Sequence, residues 1–305
     1  MAGQQRVYRE RIGSTKALQK IFRAMELIAT SRIAKARDAA QLAAPFIRAL
    51  TRAVSAVASH VGTEFEHPLV TERTDTNRVL VLVMTADRGM AGAYNASVLR
   101  EADRLRERLE AEGHTIDLCC TGRRGIGHYQ YRGVPLVATW EGWSDAPERP
   151  HSREIANTLL RRFLAEAEPK DGSEPGVREI HIVYTRFRSM VVQEPRVIRM
   201  LPLEIVEQDA SESEELFPLY EFEPSPAEVL DALLPRYIRS RVWNCLLQAA
   251  ASELAARQSA MHTATENAED LIRQYTRLAN EARQAEITQE ISEIVSGVNA
   301  LASGG

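Results

Sequence analysis

Apolar and small side chains recur every three or four positions over residues 4–57, which is the spacing of one helix face. The predicted stripe comprises Leu18, Phe22, Met25, Ala29, Ala36, Ala39, Ala43, Ile47, Leu50, Val54 and Val57. Because several members are alanine, the seam is thin and would let a partner helix approach closely. A single helix here would be roughly 80 Å long at about 1.5 Å per residue, with Pro45 as the place for a kink.

A second long helix is predicted towards the other end of the chain, because residues 236–296 include no proline and no glycine. At about 1.5 Å per residue this helix would extend roughly 90 Å. Its apolar stripe comprises Leu271, Tyr275, Leu278, Ala282 and Ala285, then on an offset face Ile287, Ile291, Ile294, Val298 and Leu301. The offset indicates a helix that changes neighbours along its length.

Long helices with thin apolar stripes are marginal alone, so each of these two needs a partner. The simplest arrangement is an antiparallel coiled coil of the two terminal helices. The C-terminal helix is the longer one, and its last turns would expose the apolar stripe of residues 287–301. We therefore expect something outside this chain to cover those turns.

Between the long helices, β-rich apolar runs at 79–84, 116–120, 134–139 and 180–184 alternate with helical patterns. One predicted helix follows Asn95 as its N-cap, with Val98, Ala102, Leu105 and Leu109 facing inward. Another covers 153–167, with Ile155, Leu159 and Phe163 facing inward. Strands and helices in alternation predict a mostly parallel sheet with helices on its faces. The predicted fold class is α/β: a Rossmann-like domain plus a long antiparallel coiled coil.

These patterns divide the chain into an N-terminal coiled-coil helix (1–60), an α/β globular domain (75–206), an acidic linker (207–226) and a C-terminal coiled-coil helix (227–305).

Charge is segregated along the chain in the same way. Residues 1–60 hold eleven Lys or Arg and three Asp or Glu, whereas residues 203–235 hold ten acidic side chains and no basic one. Since the net charge is only -4, a partner recognised by charge would meet the N-terminal segment. The polar loop 166–176 is predicted to be mobile.

The segment TADRGMAGAYN, residues 85–95, follows the first strand and looks like a phosphate-binding loop. A dinucleotide site needs three spaced glycines, and a P-loop ends in lysine and a hydroxyl residue. Only Gly89 and Gly92 are present here, so we expect both to serve a tight turn. Asp87 and Arg88 are expected to close that turn as a local ion pair.

Other catalytic patterns are absent from the sequence. It has no nucleophile elbow, no zinc-binding histidine or cysteine spacing, and only three cysteines, which read as core residues in a reducing compartment. His262 and Glu266 read as a solvated pair one helical turn apart. The polar first residues and the lack of a long apolar run predict a cytoplasmic location.

Several segments resemble the gamma subunit of F-type ATP synthases, and together they span nearly the full length. They are IGSTKALQKIFRAMELIATSRIAKA, TADRGMAGAYN, VYTRFRSMVVQEP followed by LPLE, then LLPRYI, AARQSAMHTATENAEDLI and ARQAEITQEISEIVSGVNAL. The last segment is the most specific, because its order and spacing match the family without a gap. Met90 and Ala91 depart from the Leu-Cys pair common in the family loop, so a cysteine is not essential there.

The resemblance implies a central rotor shaft that couples proton flow to ATP synthesis or hydrolysis, with no catalytic site, cofactor or metal of its own. In the family, the coiled coil enters the ring of alpha and beta subunits. The α/β domain lies at the foot, against the epsilon subunit and the membrane proteolipid (c) ring. The implied location is peripheral, on the cytoplasmic face of the cell membrane, with no direct membrane insertion and no nucleic acid bound.

The resemblance also implies a set of partner-binding residues. Met25 and Glu26 match the region near the lever loops of beta, and Arg283 and Gln284 match positions that bind acidic loops of beta. The remaining positions would form an apolar bearing: Ile287, Ile291, Ile294, Val298 and Leu301.

Two further hypotheses remain open on the residues alone. The chain could be a nucleotide-binding α/β enzyme with coiled-coil arms. It could also be a nucleic-acid tether whose basic N-terminal helix meets phosphates, although aromatic residues are sparse there. Of the three hypotheses, the rotor shaft alone explains why the C-terminal helix is longer than its partner.

Overall fold

The computed structural model describes residues 2–61, 67–170, 172–203, 223 and 225–302. Its elements are α1 (Ala2–Val61), β1 (Arg78–Met84), α2 (Tyr94–Ala111), β2 (Thr115–Thr121), α3 (Arg123–Tyr131), β3 (Ala138–Trp140), α4 (Arg149–Leu164), β4 (Glu179–Phe187), β5 (Gln193–Leu201) and α5 (Pro226–Ala302). The chain divides into two compact units. The helix-pair unit is Met1–Ala29 with Gln258–Gly305, and the sheet unit is Thr30–Arg257.

The sheet unit contains a five-stranded sheet in the order β3-β2-β1-β4-β5. β1 pairs in parallel with β2 and β4, β2 pairs in parallel with β3, and β5 pairs antiparallel with β4. Six of the seven residues of β1 are buried, as expected for a central parallel strand that helices cover on both faces. The predicted α/β fold class is confirmed.

Helices cover the two faces of this sheet separately. The odd-numbered residues of β1 pack against α2 and α3, whereas the even-numbered ones pack against α4 and the first turns of α5. Cys119 and Cys120 fall in opposite clusters, because successive strand residues point to opposite faces. Both thiols are buried, which raises the pKa of each to about 12 and suits core residues.

The sequence patterns located four strands and two helices of this unit but missed α3 and β5. In α3 the segment RRGIGHYQY has two glycines, and the burial of Ile126 and Tyr129 outweighs that poor helix propensity. β5 carries Pro195 and charged residues, which an edge strand tolerates. The predicted strand 134–139 is observed as β3 only from Ala138, because the residues that pair with β2 are Ala138, Thr139 and Trp140.

The helix α4 begins at Arg149, earlier than predicted, and ends at Leu164. A capping box explains the earlier start: the backbone N–H of Glu148 donates to His151 Nδ1 at 3.0 Å, and the Glu148 side chain accepts from the backbone of His151. The predicted inward face is confirmed, since Ile155, Leu159 and Phe163 are at most 1% exposed.

In the helix-pair unit, the first part of α1 packs against the last part of α5. Three contacts join them: Tyr8 with Tyr275 (ring centroids 6.4 Å apart), Gln19 Nε2 with Glu269 Oε1 (2.9 Å), and His262 Nδ1 with Glu26 Oε1 (2.9 Å). Since the residue number falls along α5 as it rises along α1, the pair is antiparallel.

The packing seam of this unit follows a strict alternation of three and four residues. On α1, positions 5, 8, 12, 15, 19, 22, 26 and 29 are buried or half-buried. On α5, the same holds for positions 258, 261, 265, 268, 272, 275, 279, 282 and 286. A seven-residue repeat maintained in this way gives a left-handed coiled coil.

Parts of the two predicted stripes were wrong. Leu18 is 49% exposed and Leu271 is 42% exposed, and the seam contains their neighbours Gln19 and Ile272 instead. On α1 the error arose because the prediction admitted only apolar residues, whereas the polar Gln19 lies on the seam and donates a hydrogen bond across it. On α5 both Leu271 and Ile272 are apolar, so residue type alone did not distinguish the two neighbouring helix faces. The predicted linker, 207–226, lies almost wholly outside the described residues, and the four-part domain division stays a prediction.

Candidate functional site

The order of the strands defines where an α/β sheet of this kind would bind a ligand. α2 and α3 lie on one face and α4 on the other, so the connections change sides between β1 and β4. In open α/β sheets the crevice at such a switch point, beyond the carboxyl ends of the strands, is the usual ligand site. A nucleotide held by TADRGMAGAYN would lie here.

In this chain α5 fills that crevice. The Ser252 hydroxyl donates to the carbonyl oxygen of Thr185 at 3.1 Å, and the backbone N–H of Phe187 donates to Gln248 Oε1 at 3.1 Å. The side chain of Ala256 packs against the apolar residues of the turn after β1, Ala86, Ala91 and Tyr94. The crevice therefore holds a helix of the chain itself where a dinucleotide would otherwise lie.

The turn itself differs in detail from the prediction. The left-handed backbone positions are Met90 (φ 59°) and Gly92 (φ 53°), so Gly92 serves the tight turn but Gly89 does not need its freedom. Asn95 is not the N-cap, because α2 begins at Tyr94. Its side-chain oxygen instead accepts a hydrogen bond from the backbone N–H of Ala86 at 2.9 Å and closes the turn from inside.

Asp87 also has a different role from the predicted ion pair with Arg88. Its carboxylate accepts hydrogen bonds from the backbone N–H groups of Arg123 (3.2 Å), the first residue of α3, and Ser144 (2.9 Å), in the loop after β3. Burial opposes ionisation of this carboxyl, but the amides of Gly142, Ser144 and Arg123 outweigh it and lower its pKa. Asp87 therefore joins the turn after β1 to the start of α3 and to the loop after β3, at the carboxyl edge of the sheet.

A buried ion pair lies beneath this turn. Glu253 is 1% exposed and Arg257 is 5% exposed, and Arg257 Nη2 lies 2.7 Å from Glu253 Oε1. The same nitrogen donates to the carbonyl oxygen of Arg88 at 3.2 Å. Burial raises the pKa of Glu253 to about 7, although the guanidinium of Arg257 favours its ionised form.

The pKa of Glu253 predicts how stability depends on pH. Because the folded chain binds this proton more tightly than the unfolded chain, stability from this group is fully present below the ordinary pKa of 4.5 and is lost as the pH rises to about 7. We expect the free energy of unfolding of the wild type, minus that of Glu253→Gln, to fall by roughly 2 to 3 kcal/mol between pH 4.5 and 8. Urea titrations of both proteins at several pH values measure this difference, and a pH-independent difference would contradict it.

The predicted partner-binding residues fall into two groups in the helix-pair unit. Met25 and Glu26 are half-buried, and Glu26 contacts His262, which also lies 3.5 Å from Glu266. The predicted pair of His262 and Glu266 is therefore present, with Glu26 added to it from α1. On α5, Arg283 and Gln284 are exposed.

The apolar stripe at the end of α5 is open to solvent. The exposed fractions are 45% for Ile287, 55% for Ile291, 66% for Ile294 and 60% for Val298. The side chain of Leu301 lies outside those the structure describes. Since Tyr8 lies opposite Tyr275, the described residues of α1 reach the level of about residue 283 and do not extend along the stripe.

Comparison with known proteins identifies the family. The ATP synthase family profile matches residues 4–301. The ATP synthase gamma chain of Beutenbergia cavernae is 66% identical over 303 residues, covering 99% of this chain and all of that protein. The chain belongs to the ATP synthase gamma-chain family. The gamma chain of a Nocardioides species is 56% identical over 303 residues, covering 99% of this chain and 98% of that protein. The resemblance seen in the sequence is confirmed.

Solved structures support the fold of this gamma-family chain. It matches a chain of the Euglena gracilis mitochondrial ATP synthase, OSCP/F1/c-ring, with a TM-score of 0.65 and 16% identity, covering all of this chain and 96% of that one. A chain of the rotor of the same enzyme matches with a TM-score of 0.63 and 14% identity, covering 94% and 100%. As a gamma-family member, the chain is a component of an ATP synthase assembly. No helix among the described residues is long and apolar enough to cross a membrane.

Sequence reasoning missed the residues that join the long helices to the sheet. Glu253 and Arg257 were not singled out, although two charged residues within a run of alanines and leucines were a usable signal. Arg32 lies on the apolar stripe of α1, and its ion pair with Asp145 explains why a charge is tolerated there. Both arginines contact loops at the carboxyl edge of the sheet.

Proposed function

We propose that this chain is the central rotor shaft of a proton-translocating ATP synthase and has no catalytic site of its own. The observation that carries the proposal is the exposed apolar stripe of α5, which begins where α1 can no longer cover it. A stripe of isoleucine and valine at regular spacing requires a partner surface. The ring of alpha and beta subunits is the partner that the family relationship supplies.

The chemistry of the stripe suits a rotating contact. Ile287, Ile291, Ile294, Val298 and Leu301 make nondirectional van der Waals contacts, so the contact energy varies little as the shaft turns. Arg283 and Gln284 lie just below it and would bind acidic loops of beta at particular angles. Met25 and Glu26 would lie near the lever loops of beta.

The asymmetry of the shaft accounts for its effect on catalysis. Each of the three beta subunits would meet a different face of the helix pair, and the contact energies would therefore differ among them. A ligand-binding equilibrium shifts only by the difference in free energy between its states, so these unequal contacts would give the three sites unequal nucleotide affinities. The sheet unit would lie at the foot, against epsilon and the c ring, at the cytoplasmic face of the cell membrane.

Reconstitution tests the proposal. Isolated alpha and beta subunits mixed with this chain are expected to form a complex that hydrolyses ATP, whereas the isolated chain is expected to show no saturable heat on titration with ATP or NAD. Failure to bind the ring would contradict the rotor hypothesis. Saturable nucleotide binding would favour the enzyme hypothesis, and DNA binding that falls steeply with salt would favour the nucleic-acid tether.

A further inference from the structure

The contacts between α5 and the carboxyl edge of the sheet are of two kinds. Ala256 meets Ala86 and Ala91 through small apolar surfaces, which resist sliding or rotation of the helix only weakly. Hydrogen bonds are directional, and they fix both the height and the rotation of α5 against the strands. On the β4 side Ser252 and Gln248 supply them.

On the β1 side the directional contact comes from Arg257. Its Nη2 donates to the carbonyl oxygen of Arg88 at 3.2 Å, in the middle of the turn after β1. Glu253, one helical turn earlier, holds the same nitrogen at 2.7 Å. Because the guanidinium is bound on both sides, its position defines where α5 lies relative to the turn.

Stability does not explain why this pair is ionic. Glu253 and Arg257 are both almost fully buried, and within the described part of the chain Glu253 Oε2 and Arg257 Nε have no hydrogen-bond partner. Removing two charges from water costs more than an imperfect pair returns, and apolar side chains of similar volume often serve a core equally well. A role in positioning α5 would explain why the buried pair is charged, which stability does not.

We infer that Glu253 is a positioning residue that holds Arg257 on the Arg88 carbonyl, and that this link transmits torque between α5 and the five-stranded sheet. The inference rests on the proposed rotor function and deepens it. It assigns the transmission of torque within the chain to one buried pair and one backbone carbonyl. Loss of the link would let α5 slip against the sheet while the ring still hydrolyses ATP.

The charge of Glu253 gives a way to recognise this role. The charged or titratable groups facing it are Arg257 from its own helix, Tyr94 from α2, and Asp145 from the loop after β3, which pairs with Arg32 of α1. Burial raises the pKa of Glu253 to about 7, so the ionic hold on Arg257 is present above that pH and weakens below it. The link thus depends on the ionised form of Glu253, which burial in the folded chain disfavours.

The test uses the assembled ATP synthase in membrane vesicles, with proton pumping and ATP hydrolysis measured on the same sample. In Arg257→Met we expect the rate of ATP hydrolysis to change less than about twofold. The number of protons pumped per ATP should fall roughly fivefold. The control is Glu110→Gln, which removes the carboxylate of a 53% exposed side chain that pairs with Arg106 one turn earlier on α2. It should pump like the wild type.

The double variant Glu253→Leu with Arg257→Met separates positioning from stability. It removes both buried charges, so it should unfold no more readily than the wild type, yet it should pump as poorly as Arg257→Met. The number of protons that it pumps per ATP, divided by that of the Glu110→Gln control at the same pH, should not change with pH. The same ratio for the wild type should fall from pH 8 to pH 6. A double variant that couples like the wild type would overturn the inference.

Glu253→Gln gives a second test, because glutamine keeps an acceptor for Arg257 but cannot ionise. The number of protons that this variant pumps per ATP should match that of the wild type at pH 6, and it should be the same at pH 8. If it followed the wild-type pH profile, Glu253 would not be the group responsible. A wild-type complex that fails to assemble would instead overturn the rotor function itself, so the two failures are distinguishable.

Discussion

Aspartate at both Ile291 and Ile294 is expected to weaken binding of the chain to the ring of alpha and beta subunits by roughly a hundredfold to ten-thousandfold. Full burial of one isoleucine contributes about 1.5 to 3 kcal/mol, and these two side chains are 55% and 66% exposed before any partner binds. Their loss, with the added cost of placing carboxylates against an apolar surface, amounts to about 3 to 5 kcal/mol. Titration of the ring with labelled chain measures the dissociation constant.

The control is Gln289→Asp, which adds one carboxylate, against two in the double variant, on the opposite side of the same helix segment. Because successive helix residues turn by about 100°, position 289 lies on the face away from the stripe. It should weaken binding far less than the double variant. Neither change should alter the helix content of the isolated chain, since all three positions are already exposed. Equal losses would show that the stripe is not the binding surface.

Gly122→Ala is expected to destabilise the sheet unit by roughly 3 to 5 kcal/mol, which is a large fraction of the stability of a typical domain. A Cβ at this position would lie 2.2 Å from the carbonyl oxygen of Thr85, and the residue has φ +87°, where side chains are strained. The clash is with backbone, so neither loop can yield without breaking the hydrogen bonds at the carboxyl edge. Urea unfolding of the isolated chain measures the loss.

Gly113→Ala isolates the clash from the backbone strain. Gly113 has nearly the same φ, +88°, but a Cβ there meets nothing within 4 Å. This control should cost about 1 kcal/mol, the cost of a left-handed conformation in a residue with a side chain. Similar losses in the two variants would mean that the turn after β1 moves aside, and that the carboxyl edge is less rigid than its contacts with Asp87 indicate.

The sequence predicted the long helices well because their evidence is local. An absence of proline and glycine over 60 residues and an apolar period near 3.6 are properties of the chain itself, and a helix needs no distant residue to form its hydrogen bonds. The central strands were equally visible, since runs such as VLVLVM leave few alternatives. The edge strand β5 was not visible in this way, because its order of apolar and polar residues depends on what packs against each face of the strand.

The seam of the coiled coil shows why local pattern is insufficient for contacts. Leu18 and Leu271 looked like seam residues, whereas Gln19 and Ile272 occupy it. The choice between neighbouring helix faces depends on the partner: Gln19 is acceptable in the seam only because Glu269 lies opposite it. A single sequence does not contain that pairing until the antiparallel register is known.

The sequence by itself determined the α/β class, the two terminal helices, the lack of a phosphate-binding motif and the position of the apolar stripe in residues 287–301. Each of these follows from residue types at short spacing. Tertiary structure alone decided that α5 fills the crevice at the switch point, that Asp87 binds loop amides rather than Arg88, and that Glu253 and Arg257 meet beneath the turn after β1. These contacts join segments up to 169 residues apart, and burial and hydrogen bonding between such segments depend on the assembled fold.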